Sequence, residues 1–210
     1  MKQSKHSFLR RGCRRLVVVF ALTSVASVAS AGPSTESIDP ERSTITIRVS
    51  KSGLFRAFAD DHEIQAPIKS GAVDDGMSPG VKVVVDAGRM RVLDPGSSAQ
   101  DRQQVQTRMI GPEVLDANRF PEIHFESTSV DRLESGDWTV RGQLTLHGQT
   151  RPVTVKVARE QGHFKGSASL RQTDFGITPV SVAGGTVKVK DEVRIEFDVF
   201  TSPSSANPPR

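Results

Sequence analysis

The sequence predicts an all-β protein, an eight-stranded antiparallel β-barrel with one inserted helix. Apolar and polar residues alternate with period two in roughly eight segments, which is typical of strands that bury one face. Helices do not alternate with these strands as a parallel sheet requires. Closing the strands into an up-and-down barrel pairs every edge and gives the apolar faces a common interior. A two-sheet sandwich is the structural alternative.

The longest predicted hairpin covers residues 138–158. Its first strand carries one apolar face made of Trp138, Val140, Gly142, Leu144 and Leu146. Gly148 supplies the turn, and the second strand then carries Val153, Val155 and Val157 on one face. Nine extended residues span roughly 30 Å, so this hairpin can form one wall of a tall barrel.

The remaining strands follow the same alternation along the chain. Residues 62–73 form a weaker strand that is interrupted at Pro67, which favours a bend or a sheet edge. The apolar faces of the other strands carry Ile45, Ile47 and Val49; Val81, Val83 and Val85; Ile123 and Phe125; Phe164, Gly166, Ala168 and Leu170; and Val193, Ile195, Phe197 and Val199.

One segment, residues 98–110, is predicted to be a helix. Ser98 and Asp101 resemble a capping box, and Gly111 followed by Pro112 ends the segment. The helix is polar, which indicates that it lies across an opening or on an outer surface. A shorter helical turn is expected near the first strand, with an apolar side made of Leu54, Phe55 and Phe58.

The N-terminus is predicted to be a secretory signal peptide, residues 1–31. Six basic residues precede a short apolar run, and Ala29-Ser30-Ala31 fits a small-x-small cleavage site. The protein is therefore expected in the periplasm or secreted. Residues 32–42 are expected to be a flexible leader, residues 43–201 a single domain, and residues 202–210 a disordered tail.

Charge and cysteine content exclude several classes of function. The whole chain has 28 basic and 24 acidic residues, but removing the signal leaves 22 basic residues and a formal charge of −2. Nucleic-acid binding is therefore not expected. The single cysteine, Cys13, leaves with the signal, so neither disulfides nor thiol chemistry are expected. Charged outer faces, one tryptophan and no tyrosine also disfavour an outer-membrane barrel, and no stable membrane span is predicted.

The sequence shows no arrangement typical of catalysis or of a metal site. Asp174-Phe175-Gly176 spells a kinase motif but lacks every companion motif. His124 and His163 are predicted to be solvated on polar strand faces, and His147 lies at a turn. No catalytic residue and no metal ligand set is therefore predicted. His62 is the best exception, as a weak surface metal site or a headgroup contact, because it lies beside Asp60, Asp61 and Glu63.

The apolar interior is the candidate binding site, because an eight-stranded barrel either fills itself with side chains or holds one ligand. Small inward residues, Gly142, Gly166 and Ala168, leave space or permit strand bending. The predicted ligand-binding residues are Leu54, Phe55, Phe58, Val83, Val85, Phe125, Trp138, Val140, Leu144, Leu146, Val155, Phe164, Phe175, Ile195 and Phe197.

Five stretches in order along the chain resemble the YceI-like lipid- and polyisoprenoid-binding family. They are KSGLFRAFADDHEI (51–64), RFPEIHFES (119–127), GQLTLHGQTRPV (142–153), QTDFGI (172–177) and DEVRIEFDV (191–199). The resemblance implies a lipocalin-like barrel, export to the periplasm and an isoprenoid or similar amphiphile inside the barrel. Asp60 stands near the place where the family often has a second histidine.

Two functions are consistent with these features of the sequence. The first is non-enzymatic binding, storage or transport of an isoprenoid-type amphiphile, such as a polyisoprenoid or a quinone, with no cofactor other than the bound lipid. The entrance would then be built from residues 54–58, 98–110 and 174–177. The alternative is a solid-core stress-response or protein-interaction module without a lipid. The sequence also leaves open whether the protein forms a homodimer.

Overall fold

The computed structural model describes residues 35–52, 61–182 and 187–203. The predicted all-β fold with one helix is confirmed, and all strand pairings are antiparallel. The strands of the described residues are β1 (Thr35–Ile38), β2 (Thr44–Ser52), β3 (His62–Gln65), β4 (Ile68–Asp74), β5 (Gly80–Asp86), β6 (Arg91–Val92), β7 (Glu122–Arg132), β8 (Trp138–Leu146), β9 (Gln149–Glu160), β10 (His163–Arg171), β11 (Ser181–Val182), β12 (Val187–Val199) and β13 (Thr201–Pro203). The helix is α1 (Ala99–Ile110), and short 3-10 turns cover Ala87–Arg89 and Gln172–Phe175.

The strand segments combine into eight long strands whose pairings form a closed ring. Four of these long strands each consist of two segments separated by a bend. They are β1 with β2, β3 with β4, β5 with β6, and β12 with β13. β12 pairs with β10 and β2, while β13, which follows after Phe200, pairs with β1. The first and last long strands are thus neighbours, and the predicted count of eight describes the ring although thirteen segments are distinguished.

The bend in the second long strand lies where the sequence predicted it. β3 ends at Gln65, and β4 begins at Ile68, on the far side of Pro67. The residue before a proline is restricted to extended conformations and the proline has no N–H, so the ladder is broken here. The break lets β3 pair with β2 and β6, while β4 pairs with β1 and β5.

Parts of the segments expected to be a flexible leader and a disordered tail belong to the sheet. Within residues 32–42, β1 pairs with both β4 and β13. Within residues 202–210, Ser202 and Pro203 lie in β13, opposite Ser37 and Glu36. These segments are too short to show a clear alternation, and they gain order by closing the ring.

The outer face of the barrel is polar and carries cross-strand ion pairs. Arg48 donates to Glu63 at 2.7 Å and to Glu196 at 3.0 Å, which connects three neighbouring strands. Lys82 pairs with Glu126 at 2.7 Å. Exposed pairs of this kind contribute little to stability, about 0–1 kcal/mol each, so the apolar face stabilises the fold.

Two inward glycines accommodate aromatic rings from neighbouring strands. A Cβ on Gly142 would lie 2.5 Å from Cε2 of Phe125 and 2.6 Å from the carbonyl oxygen of Glu126. A Cβ on Gly166 would collide with the ring of Phe197, its cross-strand partner, and with the backbone. The space expected at these glycines is therefore filled by phenylalanine, whereas Ala168 faces the interior cavity.

The helix α1 begins and ends as predicted. The Ser98 hydroxyl oxygen accepts from the Asp101 backbone N–H at 3.1 Å, and Gly111 N–H donates to the Thr107 carbonyl at 3.1 Å. The helix is joined to the barrel by Gln106, whose side chain bonds the backbone of Met90 and Val92 at 2.7 and 2.8 Å. Met109 is its buried residue and packs into the main apolar core.

The 3-10 turn Gln172–Phe175 packs beside the same end of the barrel. Phe175 is only 1% exposed, and Gly176 follows with φ of 73°, a left-handed conformation that favours glycine. Asp191 on β12 accepts from the Thr173 N–H at 2.9 Å and from the Thr173 hydroxyl at 2.7 Å. These bonds lower the pKa of the Asp191 carboxyl.

Replacing Gly142 by valine should strongly destabilise the fold, because the new side chain collides with Phe125 and with backbone. We expect a loss of about 2–3 kcal/mol in the free energy of unfolding, measured by denaturant titration. The control is Gln143→Val, on the outer face of the same strand, which should change stability by less than about 0.5 kcal/mol. Equal effects of the two substitutions would contradict the glycine–phenylalanine packing.

Replacing Asp191 by asparagine should lower stability by about 1 kcal/mol near pH 7, because the charged acceptor at the turn is lost. The carboxyl pKa is lowered on folding, so its contribution is present above its ordinary pKa. The contribution disappears as the pH falls through the lowered pKa. The stability difference between the two proteins should therefore vanish in acid, as measured by thermal melts across a pH series; a difference independent of pH would contradict this role.

Candidate functional site

The interior of the barrel is a cavity of about 700 Å³ with an apolar wall. Every one of the eight long strands contributes inward side chains to it, for example Ile47, Val83, Val140 and Ile195. Many of these residues are only half-buried although they point inward, because the cavity leaves part of their surface uncovered. Ligand pockets in proteins typically have about 300–1,000 Å³, so this one is large enough for a small molecule or a lipid tail.

The structure brings most of the predicted binding residues together around this cavity. The predicted residues that line it are Val83, Val85, Phe125, Trp138, Val140, Leu144, Leu146, Val155, Phe164, Ile195 and Phe197. They come from six of the long strands, and period-two alternation placed each of them correctly on the inner face. That they bind a ligand stays a prediction.

Two groups of predicted residues differ from this pattern. Phe175 does not line the cavity, because the 3-10 turn buries its ring in the core beside the barrel end, where its carbonyl oxygen lies 3.2 Å from Nδ1 of His147. The structure thus places Phe175 outside the cavity wall, and its assignment as a ligand-binding residue stays a prediction. Leu54, Phe55 and Phe58 lie outside the described residues.

Several lining residues were not selected from the sequence. Some of them continue alternating faces that were recognised, so the same signal could have found them: Ile45, Ile47, Val49, Val153, Val157, Val193 and Val199. Others come from loops and helix ends, where no periodicity points to the interior: Met90, Met109, Val114, Leu115 and Ile177.

The two ends of the cavity differ in exposure. Near α1, the lining side chains are closely packed, and Met90, Met109, Leu115 and Ile177 are 3–7% exposed. At the opposite end the lining includes exposed residues of three turns, among them Asp75, Pro79 and Arg159. In the described residues the cavity thus reaches the surface opposite α1. The sequence placed the entrance at residues 54–58, 98–110 and 174–177, and the first of these ranges lies outside the described residues.

Two arginines stand at the exposed end, each over an aromatic ring of the wall. The guanidinium carbon of Arg132 lies 5.9 Å from the centre of the Trp138 ring, and that of Arg159 lies 5.3 Å from the centre of the Phe164 ring. The two rings contact each other edge to face, with centres 6.2 Å apart. Sequence reasoning missed both arginines. Arg159 continues the inward face of β9, whereas the register shift between Ser127 and Ser129 on β7 brings Arg132 to the inner face.

The histidines occupy structural positions. His163 was predicted to be solvated, but it is 7% exposed, pairs through Nδ1 with Asp198 and stacks on Phe200 at 4.4 Å. That prediction is wrong, because the bend at Phe200 covers the imidazole. His147 has φ of 50° and forms the predicted turn with Gly148.

His62 points its Nδ1 at the buried carboxylate of Asp94, 2.6 Å away, rather than at a metal ligand set. The second oxygen of Asp94 accepts from the Glu63 N–H at 2.8 Å, so this carboxylate fixes the β3 backbone as well. Asp61 accepts from the Ser50 hydroxyl at 3.0 Å. Among the residues that the structure describes, no three His, Cys, Asp or Glu side chains converge as metal ligands would.

Besides Asp191, two carboxyls of the described residues have a shifted pKa, and both lie on the outer face of the barrel. A hydrogen bond from Lys69 lowers the pKa of Glu122, and one from Arg48 lowers the pKa of Glu196. Both are accounted for by exposed ion pairs, so they mark structural contacts rather than acid–base groups facing the cavity. Within the described part of the chain, no helix is long and apolar enough to cross a membrane.

Comparison with solved structures supports the same fold. BcnA of Burkholderia cenocepacia superimposes with a TM-score of 0.54 at 19% identity, covering 77% of this chain and 98% of that protein. A polyisoprenoid binding domain from Saccharophagus degradans, implicated in plant cell wall breakdown, gives a TM-score of 0.52 at 12% identity, covering 82% and 99%. At these identities the likeness shows the fold alone.

Sequence comparison defines the family. A UPF0312 protein of Vibrio cholerae is 28% identical over 116 residues, 50% of this chain and 57% of that protein. A UPF0312 protein of Pseudomonas putida is 38% identical over 77 residues, 31% of this chain and 39% of that protein. The chain thus matches about half the length of its first curated relatives. Residues 37–200 match the model of the YceI-like domain, and the chain belongs to this family.

Proposed function

We propose that this protein binds, stores or carries an isoprenoid-type amphiphile in the barrel interior, without catalysing a reaction. The observation that carries the proposal is the apolar cavity of about 700 Å³, walled by residues of all eight long strands. The YceI-like family and the similarity to a polyisoprenoid binding domain support the class of ligand. A polyisoprenoid or an isoprenoid quinone has the long apolar tail that such a wall favours.

The energetics of the cavity favour an occupied state. At about 24 cal/mol per Å³, an apolar space of this size would cost on the order of 17 kcal/mol if it were empty and dry, which is at least the whole stability of a typical domain. A tail of about twenty carbons gains on the order of 16 kcal/mol by burial, before the cost of ordering it. Burial alone can therefore hold a lipid, and no covalent chemistry is required.

The alternative of a solid-core interaction module is less well supported. Such a module would fill its interior with its own side chains, as small barrels can. Here the inner faces of β8 and β9 carry mainly valine and leucine, and their side chains stop short of the opposite wall. The homodimer left open by the sequence stays a prediction.

We also propose that the protein is exported. The basic and apolar segments of residues 1–31, followed by a small-x-small site, support delivery to the periplasm or secretion. In an aqueous compartment an isoprenoid lipid needs a shielded path, since each exposed methylene costs about 0.8 kcal/mol. A barrel with a polar outer face and an apolar interior meets that need.

Mild purification of the exported protein, followed by organic extraction and mass spectrometry, should recover an isoprenoid lipid at close to one molecule per chain. The tail fills a cavity that is costly to leave empty, so a large part of the ligand should survive purification. The proposed function would be contradicted by a protein that is purified without lipid, is stable in that form and takes up no lipid when one is supplied.

Replacing Val155 by tryptophan should reduce the lipid recovered by about tenfold or more, because the larger ring occupies space inside the cavity. The matched control is Thr154→Trp, on the exposed face of the same strand, which should retain the lipid. Both variants are compared by the same extraction, with thermal melts to confirm folding. If the two folded variants retain equal amounts, the lipid is not bound in the barrel interior.

A further inference from the structure

We propose that the open end of the barrel docks onto a zwitterionic lipid surface, into which the side chains of Met77 and Leu133 insert. This inference rests on the proposed function and names the partner with which the bound lipid is exchanged. In residues 35–52, 61–182 and 187–203, the large apolar side chains that are exposed are those of Met77, Leu133 and Leu93. The first two are the most exposed, and both lie beside the mouth of the cavity.

Met77 lies in the turn between β4 and β5, and its side chain is fully exposed. Residues on both sides of it, Asp75 and Pro79, line the mouth of the cavity. The base of the turn is ordered by Asp74, whose carboxylate accepts from the Gly76 N–H at 2.9 Å. The turn thus holds an apolar side chain in water, where it contributes no packing to the barrel.

Leu133 lies in the turn between β7 and β8. Its N–H donates to the Asp137 carbonyl at 2.8 Å, and its own carbonyl accepts from the Gly136 N–H at 3.0 Å, so the turn is well formed. Its side chain is nevertheless 47% exposed, next to Arg132, which lines the mouth. β7 pairs with β5 only as far as Glu126 but with β8 as far as Arg132, so this hairpin projects beyond the end of β5.

The arrangement of these apolar side chains fits a lipid surface better than a protein. They stand on separate turns, whereas a stable protein interface buries about 800 Å² on each partner around a continuous packed core. A lipid surface needs no complementary shape, because each side chain inserts independently. Trp138 stands behind the second turn, with the guanidinium carbon of Arg132 5.9 Å from its ring centre. Amphipathic side chains of this kind are favoured at the boundary between water and hydrocarbon.

The charge of the mouth determines which lipid surface fits. Its turns and strand ends, residues 74–80, 131–138 and 159–162, hold six acidic and two basic residues. Two of the acidic residues form ion pairs with outer-face residues, Asp131 with Arg141 and Glu160 with Lys165, and the remaining excess is still negative. Anionic lipids are repelled by such a surface. Zwitterionic headgroups carry no net charge and present ammonium groups that carboxylates attract, so they fit this mouth.

Docking gives the lipid tail an apolar path between membrane and barrel. Behind the mouth, the cavity wall begins with Val130, Trp138 and Phe164. A tail that passes through a docked mouth moves from acyl chains to this wall, whereas a tail that leaves through water exposes every methylene group. At the opposite end of the described barrel the lining is closely packed, since Met90 and Met109 are 3% and 6% exposed.

The first test measures binding of the exported protein to sucrose-loaded phosphatidylcholine vesicles by sedimentation. The double variant M77S/L133S should reduce the partition coefficient by at least about tenfold, because both inserting side chains become polar. The matched control is L93S, which removes the exposed leucine that follows β6 and should bind as the parent protein does. All three side chains are exposed, so thermal melts should show folded variants of similar stability.

The same assay should distinguish lipid surfaces by charge. Replacing about a third of the phosphatidylcholine by phosphatidylglycerol should weaken binding of the parent protein about threefold, because the acidic mouth is repelled. Added salt should reduce this difference and leave binding to pure phosphatidylcholine unchanged, since apolar insertion is not screened.

The second test measures exchange of the bound lipid. The exported protein is loaded with fluorescently labelled farnesol, and transfer of the probe to phosphatidylcholine vesicles is followed over time. The rate should rise with vesicle concentration for the parent protein and for L93S, and it should fall about tenfold in M77S/L133S because productive contacts are rarer. The affinity of the double variant for the probe in solution should equal that of the parent, because neither side chain lines the cavity.

Several results would overturn the inference. Equal vesicle binding by M77S/L133S and the parent protein would show that these side chains do not insert, and a transfer rate independent of vesicle concentration would show that the lipid leaves through water. A preference for anionic vesicles would assign the contact to basic residues. A parent dimer that the double substitution converts to a monomer, with vesicle binding unchanged, would assign the two side chains to a contact between copies. If the protein binds vesicles but no labelled farnesol, the proposed function fails and the docking surface stands.

Discussion

The pairing of the two chain ends is the constraint on which the rest of the structure depends. β13 binds β1 on one side of the bend at Phe200, and β12 binds β2 on the other side. Without these contacts the sheet would have two open edges, and its apolar face would meet water instead of a common interior. Ser43 strengthens the junction, since its hydroxyl accepts from the Phe200 N–H at 3.0 Å. Closure therefore creates the cavity.

The barrel remains hollow because its inner side chains pack against residues of neighbouring strands and do not reach the opposite wall. Phe125 and Phe197 turn toward Gly142 and Gly166 on adjacent strands, so their rings lie flat along the wall. Valine and isoleucine cover much of the remaining wall, and their short side chains do not span the interior. Strand-to-strand packing stabilises the wall, and the interior is left as an apolar cavity. The same wall ends in arginines at the rim, so apolar and charged chemistry are separated along one axis.

Much of the fold and of the cavity wall could be predicted from the sequence, because period-two alternation is a strong signal in strands of this length. It placed Trp138, Val140 and Leu144 on the inner face without any knowledge of their partners. The short strands β1 and β13 gave no such signal, since three or four residues do not establish a period and their order comes from pairing with each other. The position of Phe175 depends on the Asp191 contact to a 3-10 turn, which alternation does not describe. His163 was misjudged because its burial comes from Phe200, beyond the strand that carries it.

The closing contact also determines when the barrel can form. Glu36 and Thr201 are bonded to each other although 165 positions separate them in the chain. Contacts of such high sequence separation are slow to form, because loop-closure entropy is lost before any stabilisation is gained. The hairpins from β7 to β10 join neighbouring segments and need no distant partner, so they can assemble early. Because the last strand supplies one side of the closing contact, the ring cannot close before that strand is present.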